Sequence, residues 1–210
     1  MGRAARDTGP VDHLRLRPCG SRAVLAEVAD SAEARSLAAY ARAARVSADE
    51  VVPGARTVLF DGVPDVAALA GLLAGWTPAV VAERGALVEV PVKYDGPDLQ
   101  DVASRWGTDV AGVVARHTAT DFVSAFCGFA PGFAYLTGLG EEHAVPRLDS
   151  PRTKVPAGSV GLAGAWCGVY PSASPGGWRL LGRTDLRLWD PERDEPALLA
   201  PGTRVRFVST

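Results

Sequence analysis

The residues best suited to chemistry fall in four segments, all in the second half of the chain. The first is Arg116-His117-Thr118, at the end of a predicted helix. Imidazole is the side chain best placed to move a proton near neutral pH, so His117 is a candidate acid or base. A cation is also favoured at a helix C-terminus, and on spacing alone a capping role is the preferred account of it.

The second segment runs from Phe126 to Leu139, FCGFAPGFAYLTGL. Three glycines and a proline among bulky apolar residues exclude a regular helix or a long strand. Such a loop can bring backbone N–H groups close to a ligand, and Phe129, Phe133 and Tyr135 could wall a pocket. A buried corner whose aromatics are plain core is the alternative.

The third is Pro146 to Ser159, PRLDSPRTKVPAGS, which gathers Arg147, Arg152 and Lys154 between prolines. Arginine suits bidentate contact with a carboxylate or a phosphate, and Ser159 adds a hydroxyl. A solvated basic loop facing acidic neighbours explains the same charges. The fourth is Gly168 to Trp178, GVYPSASPGGW, followed by Gly182-Arg183-Thr184. Tyr170, Trp178 and Arg183 could line a site, although Pro-Gly-Gly is also an ordinary turn signal. No Walker A run, dinucleotide-type glycine motif, GxSxG elbow or HExxH helix occurs, so no self-sufficient catalytic set is present.

The elements that must hold these segments divide the chain by character. The first half alternates strands and helices. Leu14–Arg17 and Ala23–Val28 read as strands around a Cys19–Ser21 turn, and a helix from Ala32 to about Ala44 follows with Ser31 as N-cap. Val51–Val52 starts one extended segment that Pro53–Gly54 interrupts and Thr57–Phe60 resumes, and Asp65–Gly75 is a second helix with Val66, Leu69, Leu72 and Leu73 on one side. This β-β-α-β-α order predicts a small ferredoxin-like α/β sandwich. Gly85–Tyr94 reads as a strand. Helices then cover Pro97 to about Trp106 and, with Thr108 as N-cap, Asp109 to about Arg116. Beyond Asp121 come short extended runs broken by Gly and Pro, among them Phe122–Phe126, Lys154–Val155, Ser159–Leu162, Cys167–Tyr170, Trp178–Gly182, Arg187–Trp189 and Arg204–Val208. That pattern predicts a β-barrel or compact sandwich. The fold class is α+β, with domains at 1–88 and 89–210.

Composition narrows the function classes. The 210 residues carry 22 basic and 24 acidic side chains, a formal charge of −2, which gives no electrostatic reason for a nucleic-acid or anionic-membrane partner. Three dispersed cysteines, Cys19, Cys127 and Cys167, form neither a disulfide framework nor a zinc-type spacing, and they point to a reducing cytoplasm without a metal site. MGRAARDTGPVD lacks the apolar core of a secretory signal and reads as a loose tail. No apolar run approaches the roughly 18–20 residues of a membrane span.

FCGFAPGFAYLTGL, then VPRLDSPRTKVPAGSVGLAG, then GVYPSASPGGWRLLGRTDLRLWDP, then LLAPGTRVRF form a long ordered series, preceded by KYDGPDL at 93–99 and ARHT at 115–118. This series resembles the family of the 5-oxoprolinase B subunit, allophanate hydrolase subunit 1 and the Kip-type kinase inhibitors. The resemblance extends more weakly into GSRAVLAEV at 20–28 and EVVPGARTVLF at 50–60. It implies a ferredoxin-like N-terminal part and a cyclophilin-like barrel. It also implies a C subunit as partner together with an A subunit, and the use of ATP with Mg2+ at the level of the complex to open 5-oxoproline to glutamate. The family's loop positions fall on His117, Gly128, Phe129, Pro131, Gly132, Arg152, Pro156, Gly158, Ser159, Tyr170, Pro171, Gly176, Gly177, Trp178 and Arg183. One departure is Trp166–Cys167, where the family reads glutamine-threonine; an indole offers one donor and more bulk than an amide.

Three functions remain distinguishable on these grounds. An enzyme subunit would use His117 as proton carrier or polar anchor, Arg152 to hold a carboxylate or phosphoryl group, and Ser159 with the Gly128–Gly132 backbone to position a small-molecule substrate; Lys154 is a further candidate ligand contact. An allophanate or other urea-derived amide is the alternative substrate. A non-catalytic module would instead dock an apolar pocket of Phe129, Phe133 and Trp178 on a sensor histidine kinase. A prolyl isomerase is suggested only by the implied barrel, and fold alone does not define activity.

Overall fold

The computed structural model describes residues 14–80 and 84–210, and the expected N-terminal tail lies outside the described residues. The chain divides into two compact units, residues 1–81 and 82–210.

The first unit packs two helices on a four-stranded antiparallel sheet. Its strands are β1 (Arg15–Pro18), β2 (Val24–Glu27), β3 (Glu50–Pro53) and β4 (Thr57–Asp61), in the order β1-β2-β4-β3. Helix α1 (Ser31–Ala43) turns Ala34, Leu37, Ala38 and Ala41 inward at helical spacing, against Val24, Ala26, Val58 and Phe60 from alternate strand positions. Helix α2 (Val66–Leu73) adds Leu69 and Leu73 to the same core. Helix α1 begins one residue earlier than expected. Asp30, not Ser31, is the N-cap, its carboxylate accepting from the Ala32 and Glu33 N–H groups at 2.9 Å each. A carboxylate there also faces the positive end of the helix dipole, which a serine hydroxyl answers less well.

The second unit is a nearly closed, barrel-like sheet with two helices against it. Its strands are β5 (Arg84–Val92), β6 (Phe122–Cys127), β7 (Ala134–Thr137), β9 (Ser159–Ala163), β10 (Trp166–Val169), β12 (Arg179–Arg183) and β13 (Thr203–Ser209), in the order β12-β9-β10-β7-β6-β13-β5. A separate ribbon pairs β8 (Arg152–Val155) with β11 (Ser174–Gly176). The two ends of the seven-stranded sheet approach one another through Lys93 and Arg183, which exchange N–H···O bonds of 2.9 and 3.0 Å. Gly182 is required at this seam, because a Cβ there would overlap the Lys93 carbonyl.

Helices α3 (Leu99–Arg105) and α4 (Val110–Ala119) contribute Leu99, Val102, Ala103 and Val113 to a core shared with Phe122, Leu136, Leu162, Cys167, Val169 and Phe207. Asp109 rather than Thr108 caps α4, accepting from the Gly112 N–H at 2.7 Å. Arg187–Trp189, expected as a strand, is loop with a single bridge from Trp189 to Ala197. No local signal marks β7, whose four residues sit between glycine-rich turns and offer too short a run to stand out.

Candidate functional site

Strand alternation in β10 sends neighbouring residues to opposite faces of the sheet. Cys167 and Val169 enter the barrel core, while Trp166 joins a second cluster of Phe133, Val155, Ala163, Tyr170, Trp178 and Leu180 on the other face. That second cluster opens into a cavity of about 310 Å³.

Six aromatic side chains wall the cavity: Phe129, Phe133, Tyr135, Trp166, Tyr170 and Trp178. They meet largely edge to face, the arrangement the ring quadrupole favours. Phe133 lies 5.3 Å from Trp178 at 90° and 5.4 Å from Tyr170 at 79°, and Tyr135 lies 5.6 Å from Trp178. Gly168 forms part of the same face because a Cβ there would press on Phe133 and Trp178, at 3.0 and 3.1 Å. Burial, chiefly, raises the Tyr170 pKa; the Trp178 backbone and the nearby Arg147 and Arg152 charges oppose that rise. Tyr170 therefore stays protonated at neutral pH, as one of the cavity's lining residues.

The loop from Cys127 to Phe133 positions two of these rings. It is drawn tight by Gly128 N–H to Phe133 O, Ala130 N–H to Gly128 O and Phe133 N–H to Ala130 O, at 3.2, 2.8 and 3.0 Å. Phe129 takes a left-handed conformation, φ 70°, and is 61% exposed at the cavity's edge. A bulky residue there costs on the order of 1–2 kcal/mol, set against edge contacts of its ring with Phe133 and Tyr170. Gly132, φ 83°, lets the loop close on Trp189, whose Cβ would stand 2.8 Å from an added Cβ.

The predicted site residues separate into four groups, His117 forming the last. Phe129, Phe133, Tyr135, Tyr170 and Trp178 meet at the cavity, with Gly128, Pro131 and Gly132 shaping the loop that carries the first two. Arg152 stands behind the wall: its Nη2 donates to both Asp98 carboxylate oxygens at 2.8 and 2.9 Å, and its Nη1 donates to the Trp178 carbonyl at 3.3 Å. Its charge is already answered, so the structure makes it a support for Trp178 rather than an open anion receptor. Lys154 is exposed on β8, Arg183 pairs with Asp95 at 3.1 Å beside the barrel seam, and Ser159 opens β9, where its carbonyl accepts from the Tyr170 N–H at 2.9 Å.

His117 is fully buried and does not line the cavity. Its ring packs on Phe207 and Phe122, with centroids 4.4 and 5.1 Å away. Nδ1 lies 2.7 Å from the Tyr94 hydroxyl and Nε2 lies 3.3 Å from Cys167 Sγ. Burial lowers its pKa from 6.5 to about 3 and raises those of Tyr94 and Cys167, so all three are neutral at pH 7. This is a satisfied polar chain inside the core, and His117, expected as proton carrier or polar anchor, lies away from the cavity.

Arg147, marked in the sequence only as one of three clustered cations, also lines the cavity, together with Trp166, Pro175 and Gly176. Arg147 and Arg152 look equivalent in the sequence. What separates them is Asp98, which lies 54 residues before Arg152 and is invisible to any local pattern. Among the described residues no cluster of three or more His, Cys, Asp or Glu side chains suits a metal ion, and no helix is long and apolar enough to cross a membrane.

An aromatic-walled cavity on a barrel-like sheet accompanies a clear family relationship. The chain belongs to the family of the carboxyltransferase domain, subdomain C and D, whose pattern matches residues 14–199. It is 45% identical over 167 residues to the 5-oxoprolinase B subunit of Escherichia coli O157:H7, covering 76% of this chain and 77% of that protein. It is 40% identical over 183 residues to the 5-oxoprolinase B subunit of Haemophilus influenzae, covering 83% and 86%. The crystal structure of TTHA0988 superposes with a TM-score of 0.78 at 34% identity; the match covers 90% of this chain and 40% of that one.

Proposed function

We propose that this chain is the B-type subunit of an ATP-dependent 5-oxoprolinase, and that it acts with a C-type subunit, and an A-type subunit, to open 5-oxoproline to glutamate. The observation that carries the reading is the 45% identity to a 5-oxoprolinase B subunit across 76% of the chain. A subunit name supports a multi-chain enzyme. The cavity supports a role for this chain in holding the substrate. Its volume lies at the small end of the range for ligand sites, roughly 300–1,000 Å³, and suits a single small ring.

In this reading the aromatic walls take the ring, exclude water from it and fix its plane. Tyr170 offers a proton donor, and Arg152 holds the Trp178 backbone in place. ATP supplies phosphoryl-group activation of the lactam in such a complex. The residues of this cavity do not fit it: six rings and one guanidinium make neither a phosphate cradle nor a metal-binding set. The nucleotide site is accordingly placed outside this cavity.

The test is ATP hydrolysis by this chain co-purified with its C-type subunit and supplied with the A-type subunit, with and without 5-oxoproline. Turnover that requires both chains and rises with 5-oxoproline is the expected result. A stable complex whose ATP hydrolysis ignores 5-oxoproline overturns the reading.

A further inference from the structure

Among the residues lining the cavity, Arg147 carries the one ionised side chain. It is exposed and makes no ion pair with any described residue, whereas the neighbouring cations are engaged: Arg152 with Asp98, Arg179 with Asp101 and Arg183 with Asp95. Its backbone is held on both sides. The buried Arg179 donates through Nε to the Pro146 carbonyl at 2.8 Å, and the Leu148 N–H donates to the Gly177 carbonyl at 2.8 Å. The side chain lies beside Gly177, where an added Cβ would meet Arg147 Nε at an ordinary contact distance of 3.7 Å. The guanidinium is also close enough to Tyr170 to act on its ionisation. A guanidinium without a counter-charge among the described residues, carried on a held backbone beside an apolar cage, is suited to receive one carboxylate carried on an apolar ring.

We propose that Arg147 is the specificity residue of this cavity, binding the carboxylate of a carboxylated cyclic amide while the aromatic walls hold its ring. This rests on the 5-oxoprolinase reading and adds how the substrate is oriented. With its carboxylate at Arg147, the ligand lays its ring against Trp166 and Trp178, and neutral lactams bind more weakly because they forgo the charge-assisted contact.

The experiment compares 5-oxoproline with 2-pyrrolidinone, the same ring without the carboxylate, as activators of ATP hydrolysis by the reconstituted complex. Wild type is expected to show a KM for 2-pyrrolidinone roughly tenfold to a hundredfold higher, the span of one charge-assisted contact. Arg147→Ala is expected to raise the KM for 5-oxoproline by a similar factor, to leave that for 2-pyrrolidinone unchanged, and so to erase the discrimination; Arg147→Lys restores part of it. A variant that merely folds poorly lowers activity on both lactams alike and keeps their KM ratio, which overturns the proposal. An unchanged 5-oxoproline KM in Arg147→Ala also overturns it while leaving the enzyme reading intact. A wild-type complex unresponsive to 5-oxoproline overturns both.

Discussion

Arg152 donates through one nitrogen to both carboxylate oxygens of Asp98, at 2.8 and 2.9 Å, and Asp98 in turn accepts from the Leu180 N–H at 2.7 Å. Asp98 opens α3 and Leu180 lies in β12, so one carboxylate ties a helix start, the β8 ribbon and the barrel together. Only 10% of the Asp98 side chain and 28% of the Arg152 side chain are exposed.

Removing either partner leaves the other poorly answered in a partly desolvated place. Arg152→Met and Asp98→Asn are each expected to cost about 2–3 kcal/mol in urea unfolding. A double-mutant cycle should return a coupling of about 1–3 kcal/mol. Additive effects in that cycle would contradict the linkage.

His117 ties acid sensitivity to the barrel core. Its folded pKa, about 3, lies below the ordinary 6.5, so the unfolded chain binds the extra proton. The stability that follows from keeping it neutral is present above pH 6.5 and is lost as pH falls toward 3. The slope contributed is up to about 1.4 kcal/mol per pH unit. Urea melts of wild type at roughly pH 7, 6, 5 and 4 should show this added slope, and His117→Leu should lack it.

Two glycines of the same loop should respond differently. Gly132 has φ 83° and an added Cβ would stand 2.8 Å from Trp189 Cβ and 3.1 Å from the Leu188 carbonyl. Gly132→Ala is expected to cost about 2–4 kcal/mol. Gly128 has only Tyr135 near it, at 3.8 Å, and Gly128→Ala is expected to stay within about 1 kcal/mol of wild type. Thermal unfolding of the two variants side by side checks the contrast.

Phe129 holds its left-handed backbone at the edge of the cavity while mostly exposed. Asparagine tolerates that conformation, so Phe129→Asn should stay within about 1 kcal/mol of wild type. Loss of the ring should still raise the KM for 5-oxoproline by roughly threefold to tenfold, about one aromatic contact. A melting curve with a KM determination separates the two effects.

Much of the architecture was legible locally. Hydrophobic spacing located both helices of the first unit, because Leu37 and Ala41, or Leu69 and Leu73, must share a face wherever the helix packs. Gly and Pro punctuation announced the short strands beyond Asp121, and the loops FCGFAPGFAYL and GVYPSASPGGW supplied five of the six aromatic walls, all but Trp166. Caps were misplaced by one residue at Asp30 and Asp109, since adjacent Asp-Ser and Thr-Asp pairs both carry capping side chains and backbone geometry alone chooses.

Residue type and short-range order were enough for the mixed α/β class, the aromatic and basic loops, and the family resemblance. Which charged or titratable group faces the cavity was settled by the folded chain. Arg152 is neutralised by an aspartate 54 residues away, His117 is enclosed by Tyr94, Cys167 and Phe207, and Arg147 alone of the cavity's lining residues keeps a cation at the aromatic wall without a counter-ion among the described residues. Whether a charge is available to a ligand depends on its neighbours in space, and chain closure sets those neighbours.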